Sequence, residues 1–148
     1  MKKTHVLLFL VVLTVVAYGC SKKALDVCEG IEDNNECFRR RAYAENNEKI
    51  CDSIDESRLR ENCYNEIAEW KSDTSVCNAH GESIKRDICI RNYAYLKGEL
   101  NVCEQVLDSN QKDLCIRNIA IQKKDTALCG EVVQDFQREL CLSTIQEQ

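Results

Sequence analysis

Apolar side chains in this chain recur with the period of an α-helix, and the whole pattern returns at a fixed interval. One set of four residues comes back 26 positions later: Cys89, Ile90, Tyr93 and Ala94, then Cys115, Ile116, Ile119 and Ala120. Offsets of 0, 1, 4 and 5 place these side chains on one face of a helix. No segment alternates with a period of two, and the 148 residues contain no proline. The pattern therefore predicts an all-α protein without strands.

Each 26-residue unit contains two places where a helix is predicted to begin. Six residues before the second cysteine of each later unit stand good N-cap residues, namely Ser57, Ser83, Ser109 and Asp135. Four residues before the first cysteine stand Asn47, Asp73, Glu99 and Asp125. Side-chain oxygens at such positions accept a backbone N–H that would otherwise lack a partner. We expect a helix of about two turns, a tight turn, and a helix of three to four turns in every unit.

Ten of the eleven cysteines fall into five evenly spaced pairs. The first pair has the spacing C-x8-C, the other four have C-x11-C, and thirteen residues separate consecutive pairs. A constant period of this size is typical of repeat architectures. Residues 26–148 are thus predicted to form an α-solenoid of about five helical hairpins with a 26-residue repeat. The ends differ as capping repeats should, with Arg41 replacing an apolar residue and Gln146 replacing the recurrent alanine.

Two regular disulfide schemes are compatible with this spacing, one within each hairpin and one between units. Residues equidistant from a turn face each other in an antiparallel hairpin, and Ser83 lies six residues from both Cys77 and Cys89. The shortened first pair agrees, because turns absorb deletions more easily than helices. The favoured bonds are Cys28–Cys37, Cys51–Cys63, Cys77–Cys89, Cys103–Cys115 and Cys129–Cys141. Each bond closes a loop and so stabilises the folded state by about 3 kcal/mol, because it lowers the entropy of the unfolded chain. Such bonds require an oxidising compartment.

The amino terminus has the features of an export signal. Two lysines precede an apolar run at residues 6–16, which is short for a membrane span. The residues Ala17-Tyr18-Gly19-Cys20 resemble the lipobox of prokaryotic lipoproteins, in which the cysteine is lipidated. The resemblance implies a signal peptide at residues 1–19, lipid attachment at Cys20 and a tether at residues 20–25. It places the protein outside the cell, lipid-anchored to the outer face of a prokaryotic membrane at the surface or in the periplasm.

Two other interpretations of this segment stay open. Ordinary signal-peptidase cleavage after Gly19 would leave Cys20 as a free thiol, and an uncleaved segment would remain as a membrane anchor. Cysteine parity favours lipidation over a free thiol, because the repeats already contain an even ten cysteines.

Net charge limits the class of partner. The whole chain carries −5; removing residues 1–19 takes away two of 20 basic residues and none of 25 acidic ones, which gives −7. An acidic domain of this kind disfavours nucleic acid as a partner.

The C-x11-C spacing, a charged dyad before the second cysteine and an alanine after it resemble cysteine-repeat proteins of prokaryotic surfaces that have no assigned activity. The resemblance covers nearly all of residues 26–148, and it implies fold and location only. The dyad consists of a basic residue at Arg60, Arg86, Lys112 and Arg138, followed by Glu61, Asp87, Asp113 and Glu139. We interpret these residues as solvated helix starts, since acidic groups suit the positive end of a helix dipole.

Candidate chemistry is sparse, and we expect no catalytic activity, cofactor or metal. His80 is the sole histidine beyond the predicted signal, and its column otherwise holds apolar residues, so we expect it half-buried between helices. No set of imidazoles is available for a triad or a metal cluster. The smallest cysteine gap within the repeats is C-x8-C, whereas zinc sites usually use C-x2-C. A cysteine-based metal-binding or thiol-redox protein is the alternative hypothesis.

Binding is the predicted function, as repeat solenoids offer extended surfaces. Tyr43, Trp70 and Tyr95 follow the alanine column in the first three repeats. Aromatic residues are common in binding hot spots, but they also pack between hairpins, which is the interpretation the sequence favours. The sequence thus predicts a lipid-anchored cell-envelope scaffold. Its partners are the membrane, through Cys20, and a protein, peptide or envelope component.

Overall fold

The computed structural model describes residues 27–28 and 30–148, and the regular elements in this part of the chain are helices. In chain order they are α1 (Asn34–Ala44), η1 (Glu48–Ser53), α2 (Ser57–Lys71), η2 (Thr74–Ala79), α3 (Ser83–Lys97), η3 (Leu100–Gln105), α4 (Ser109–Lys123), α5 (Thr126–Cys129) and α6 (Asp135–Gln146), where η marks a 3₁₀-helix. The predicted signal peptide, Cys20 and the tether lie outside the described residues. Within the described part, none of the helices is both long and apolar enough to cross a membrane.

From repeat two onward, each repeat is a hairpin of one short and one long helix. The short helices of repeats two to four are six-residue 3₁₀-helices, which is two turns and matches the predicted length. Consecutive long helices pack side by side, α1 on α2, α2 on α3, α3 on α4 and α4 on α6. The prediction of an all-α solenoid with a 26-residue repeat is confirmed.

A disulfide bond closes each of the four hairpins, and a fifth joins the segment before α1 to α1. They join Cys28–Cys37, Cys51–Cys63, Cys77–Cys89, Cys103–Cys115 and Cys129–Cys141, with Cα–Cα distances of 5.6 to 5.8 Å. These are the within-hairpin pairs that the turn geometry favours. Nine of the ten cysteines are buried, and Cys37 is partly exposed. Such a density of disulfides indicates an oxidising, extracellular environment.

The recurrent alanines are buried and accept the hydrogen bond that ends their long helix. Ala42, Ala68, Ala94 and Ala120 are completely buried. Their carbonyl oxygens accept the backbone N–H of the residue five positions later, at 2.9 to 3.0 Å. The residue before that donor has a positive φ in each repeat: Asn46 (52°), Ser72 (52°), Gly98 (67°) and Lys124 (54°). A left-handed residue of this kind ends a helix and turns the chain, so the same turn recurs every 26 residues.

The N-cap predictions are right for the short helices and wrong by one residue for the long ones. Asn47, Asp73 and Asp125 accept backbone N–H groups at the starts of η1, η2 and α5, whereas Glu99 accepts none. The residues predicted to cap the long helices, Ser57, Ser83, Ser109 and Asp135, are instead the first residues inside them. Of the four preceding residues, only Asp108 accepts a hydrogen bond from its own helix, from the Gln111 N–H at 2.9 Å.

At the starts of α4 and α6, backbone donors are bound by an aspartate of the preceding repeat. Asp87 Oδ2 accepts the backbone N–H groups of Leu107 (3.0 Å) and Asp108 (2.7 Å), at the start of α4. Asp113 accepts the backbone N–H groups of Val133 (Oδ1, 3.0 Å) and Gln134 (Oδ2, 2.8 Å), at the start of α6. Both aspartates are at most 2% exposed. Interpreting Asp87 and Asp113 as solvated is therefore wrong, because each carboxylate caps the long helix of the next repeat.

The basic member of the dyad also contacts the backbone. Arg60 Nη1 donates to the carbonyl of Ile54, and Arg138 Nε donates to that of Val132, both at 2.9 Å. These carbonyls lie at the link between the two helices of a hairpin. In repeats two and five the guanidinium thus ties the long helix to the link that follows the short helix.

The boundary between repeats two and three departs from this arrangement. Glu61 replaces the buried aspartate, and its carboxylate pairs with Lys85 Nζ at 3.3 Å. A polar cavity of about 150 Å³ lies there. His80 lines it half-buried, as predicted, with its ring 4.7 Å from that of Tyr64. Burial lowers the pKa of His80 and raises the pKa of Tyr64, whose hydroxyl also donates to Asp52.

Candidate binding surface

The long helices present one continuous face to solvent. Positions 0, 1, 4 and 5 from the second cysteine point into the core, so positions 2, 3, 6 and 7 point outward at 100° per residue. We call these positions the outer face. In α2, α3 and α4 they are Asn65, Glu66, Glu69 and Trp70; Arg91, Asn92, Tyr95 and Leu96; and Arg117, Asn118, Ile121 and Gln122. All are exposed or partly exposed.

The three aromatic residues singled out from the sequence all lie on the outer face. Tyr43, Trp70 and Tyr95 are 47%, 51% and 44% exposed. The rings of Tyr43 and Trp70 lie 5.4 Å apart at an angle of 50°, whereas Tyr95 is on the next long helix along the stack. The three residues are therefore not buried in the core, although Tyr43 and Trp70 do pack against each other across two adjacent hairpins, as the favoured interpretation expects. Roughly half of each side chain is available for contact with another molecule.

A groove of about 350 Å³ opens beside the Tyr43–Trp70 pair. It is lined by Tyr43, Glu66, Glu69, Trp70 and Lys97. Glu66 is bound on its inner side by Arg39, whose Nη1 donates to both carboxylate oxygens at 2.8 and 2.7 Å. The carboxylates of Glu66 and Glu36 raise the pKa of Arg39, which stays charged. This groove combines aromatic walls with charges that are largely balanced.

A second groove, of about 400 Å³, lies further along the same face between α3 and α4. Tyr95, Asn118, Ile121, Gln122 and Gln148 line it. Its walls are an aromatic ring, an aliphatic side chain and amides, without a charged side chain among those five residues. The two grooves together make the outer face a polar and aromatic surface that runs across at least four repeats.

Two half-buried arginines lie one helical turn before the residues of the second groove. Arg91 Nη1 donates to Gln111 Oε1 at 2.5 Å, and Arg117 Nη1 donates to Gln137 Oε1. Each of these bonds links one repeat to the next. Burial, with a contribution from the nearby charge of Arg117, lowers the pKa of Arg91.

The cysteines offer no comparable site in the described residues. All ten cysteines there are in disulfides, and no group of three histidine, cysteine or acidic side chains in residues 27–28 and 30–148 is placed to hold a metal ion.

Sequence reasoning found the aromatic residues of this surface but missed its polar ones. Glu66 and Asn118 occupy the same column, three residues after the second cysteine, and Gln122 lies one turn further on. Their residue type changes from repeat to repeat, whereas the buried columns stay apolar. A variable outward column inside a regular repeat is the signal that points to them.

Fold and surface together define a class, a disulfide-stapled α-helical repeat protein with an exposed aromatic face. No protein-family model, curated protein or solved structure matches this chain.

Proposed function

We propose that this protein is an exported scaffold, anchored by lipid at Cys20 to the outer face of a prokaryotic membrane, that binds a protein, peptide or envelope component without catalysing a reaction. The observation that carries the binding function is the exposure of Tyr43, Trp70 and Tyr95 on one face. Aromatic side chains that remain half-exposed supply large contact areas at low entropic cost, which is why they are enriched in binding hot spots.

Export and anchoring are supported by two independent features. The disulfides require an oxidising compartment, and the residues before Cys20 resemble a lipobox. A tether of six or seven residues reaches on the order of 25 Å when extended, so the repeats would lie close to the membrane. Intact mass spectrometry of the exported protein tests the anchor, since lipidation adds the mass of acyl chains at Cys20.

The binding function is tested by replacing Trp70 with alanine in the full exported protein. Trp70 is 51% exposed, so truncation should change the midpoint of thermal unfolding little while weakening retention of the partner. The measurement is affinity capture from envelope extract, compared quantitatively between wild type and variant. Leu107→Ala is the matched control, because Leu107 is 75% exposed but lies outside the outer face.

A partner retained by wild type and Leu107→Ala but lost from Trp70→Ala is the expected result. Equal capture by all three proteins would remove the aromatic face from the binding function. A large stability loss in Trp70→Ala would show that the ring is a packing residue.

A further inference from the structure

Charge compensation differs between two equivalent places on the outer face. In the groove beside Trp70, Arg39 of repeat one meets Glu66 of repeat two through two hydrogen bonds to its carboxylate. At the groove between α3 and α4 the corresponding residues are Arg91, which lies one helical turn before Tyr95, and Asn118, which lines the groove. The position that supplies a carboxylate to the first arginine thus supplies an amide to the second.

Arg91 consequently has only amide oxygens as hydrogen-bond acceptors among the described residues. Nη1 donates to Gln111 at 2.5 Å, and Nη2 reaches Asn92 Oδ1 at 3.4 Å. Arg117, one repeat further on, likewise contacts two amides, those of Gln137 and Asn118. Two neighbouring half-buried guanidinium groups thus lack an ion-pair partner in the described part of the chain, although the protein as a whole is acidic.

The outer face of α3 and α4 carries no acidic side chain at all. Lys97 and Lys123 add two positive charges in the last turns of these helices. The flanking carboxylates on the same face belong to other repeats, Glu66 and Glu69 on one side and Glu147 on the other. This basic segment is therefore complementary to a negatively charged partner.

The shape of the site favours a chain-like ligand. The groove of about 400 Å³ crosses the outer side of α4 between Tyr95 of α3 and Gln148, and the amides of Asn118 and Gln122 line it. An amide side chain both donates and accepts, which matches the alternating N–H and C=O groups of an extended peptide backbone. Helices that bind a membrane surface carry their basic residues on an exposed polar face, whereas Arg91 and Arg117 are half-buried.

We propose that the groove between α3 and α4 binds an extended acidic peptide segment, whose carboxylate takes on Arg91 the place that Glu66 takes on Arg39. Tyr95 and Ile121 contact apolar parts of the segment, and Asn118 and Gln122 pair with its backbone. The inference rests on the proposed function, because it assumes that the outer face is the binding surface, and it adds the chemical class of the partner.

The test uses a substitution by which the protein itself supplies a carboxylate to Arg91. Asn118→Glu recreates the residues of the Arg39–Glu66 pair and blocks the guanidinium, whereas Asn118→Gln is the neutral control of equal length. The exported full-length protein is panned against a random dodecapeptide library, and affinities of the enriched peptides are measured by fluorescence anisotropy. We expect enrichment of Asp and Glu, about a tenfold loss of affinity in Asn118→Glu and in Arg91→Gln, and a smaller loss in Asn118→Gln, which changes the length of the amide side chain but not its charge. Leu107→Ala, outside the outer face, should bind the peptides as the wild type does.

Three outcomes would overturn the inference. They are enrichment without an excess of acidic residues, equal binding of acidic peptides by Asn118→Glu and wild type, and failure to enrich acidic peptides while vesicles of phosphatidylglycerol and phosphatidylcholine bind. In the last case the basic segment would be a membrane contact. In each of these three outcomes, the proposed function would still hold if Trp70→Ala, measured separately, no longer captures the partner.

Discussion

Asp87 and Asp113 each bind backbone donors at the start of the following repeat's long helix. The N–H groups of the two residues that immediately precede that helix are bound by a carboxylate from the previous repeat, and that carboxylate is almost completely excluded from water. Burying a charge is favourable only when its hydrogen-bonding capacity is met. The aspartate therefore ties the register of one hairpin to the backbone of the next, independently of apolar packing.

Replacing Asp87 with asparagine should lower the free energy of unfolding by about 2 kcal/mol, because the new NH₂ group faces either the two backbone donors or Arg86. In the wild type, Arg86 Nη1 donates to Asp87 Oδ1 at 2.7 Å, so both carboxylate oxygens are occupied. Urea unfolding with the disulfides intact, followed by circular dichroism, measures the change.

The matched control is Glu61→Gln, in the same column one repeat earlier. Glu61 bonds to no backbone N–H of the next repeat in the described chain, and its ion pair with Lys85 is partly exposed. We expect a loss below about 1 kcal/mol. Equal losses in the two variants would show that the buried aspartate contributes no more than a surface charge.

At the scale of elements, the hairpin was predictable from the sequence and the stacking contacts were not. Equal distances from Ser83 to Cys77 and Cys89 are enough to pair them, because a hairpin brings such residues level. The role of Asp87 depends on a backbone segment 20 residues away, which only the geometry of stacking places beside it. An acidic residue in the first turns of a helix is equally compatible with a solvated position, so the sequence did not distinguish the two.

The same limit explains the error over the aromatic residues. Tyr43 and Tyr95 directly follow the buried alanines in sequence. One residue is a rotation of 100° on a helix, which takes these two side chains from the core side to the outer side. The polar neighbours that make the surface a candidate site, such as Glu66, come from an adjacent helix and carry no periodic signal of their own.

Stability at the boundary of repeats two and three should depend on pH through His80. Burial lowers the pKa of His80 in the folded protein below the ordinary value of about 6.5. The unfolded chain then binds the proton more readily, so stability is full above about pH 6.5 and falls as the pH decreases towards the folded-state pKa. Hydrogen bonds from Arg39 and Arg40 lower the pKa of Glu36 to about 2. The stability that such a carboxylate contributes is therefore lost only at more acidic pH.

His80→Val should abolish the upper part of this dependence. The equivalent residues Ile54, Val106 and Val132 are buried and apolar, and His80 Nε2 is buried without a hydrogen-bond partner in the described residues. We expect unchanged or slightly higher stability at pH 7.5 and no loss between pH 6.5 and 5. The midpoint of urea unfolding, measured from pH 7.5 to 4.5 in both proteins, tests this expectation. If the midpoint falls equally with pH in wild type and His80→Val, another group is responsible for the titration.

At the scale of the molecule, the chain is a row of short hairpins that each contact mainly their neighbours. Such a protein is stabilised by the sum of its units and of the interfaces between them. A six-residue 3₁₀-helix and a four-turn helix bury little surface alone, so a bond that closes each hairpin contributes strongly, about 3 kcal/mol for a loop of this length. The position of a hairpin in the row should then determine how far its loss spreads.

Removing the Cys77–Cys89 disulfide should divide the stack, whereas removing Cys129–Cys141 should affect one end. In the first double alanine variant the weakened repeat has neighbours on both sides, because α3 packs against α2 and α4. In the second, α6 packs only against α4 and α5 within the described chain. Hydrogen–deuterium exchange of both variants measures protection repeat by repeat. We expect faster exchange in repeats two to four of the central variant, and faster exchange confined to repeat five of the terminal one. Uniformly faster exchange in both would mean that the five hairpins unfold as one cooperative unit rather than as a row of coupled repeats.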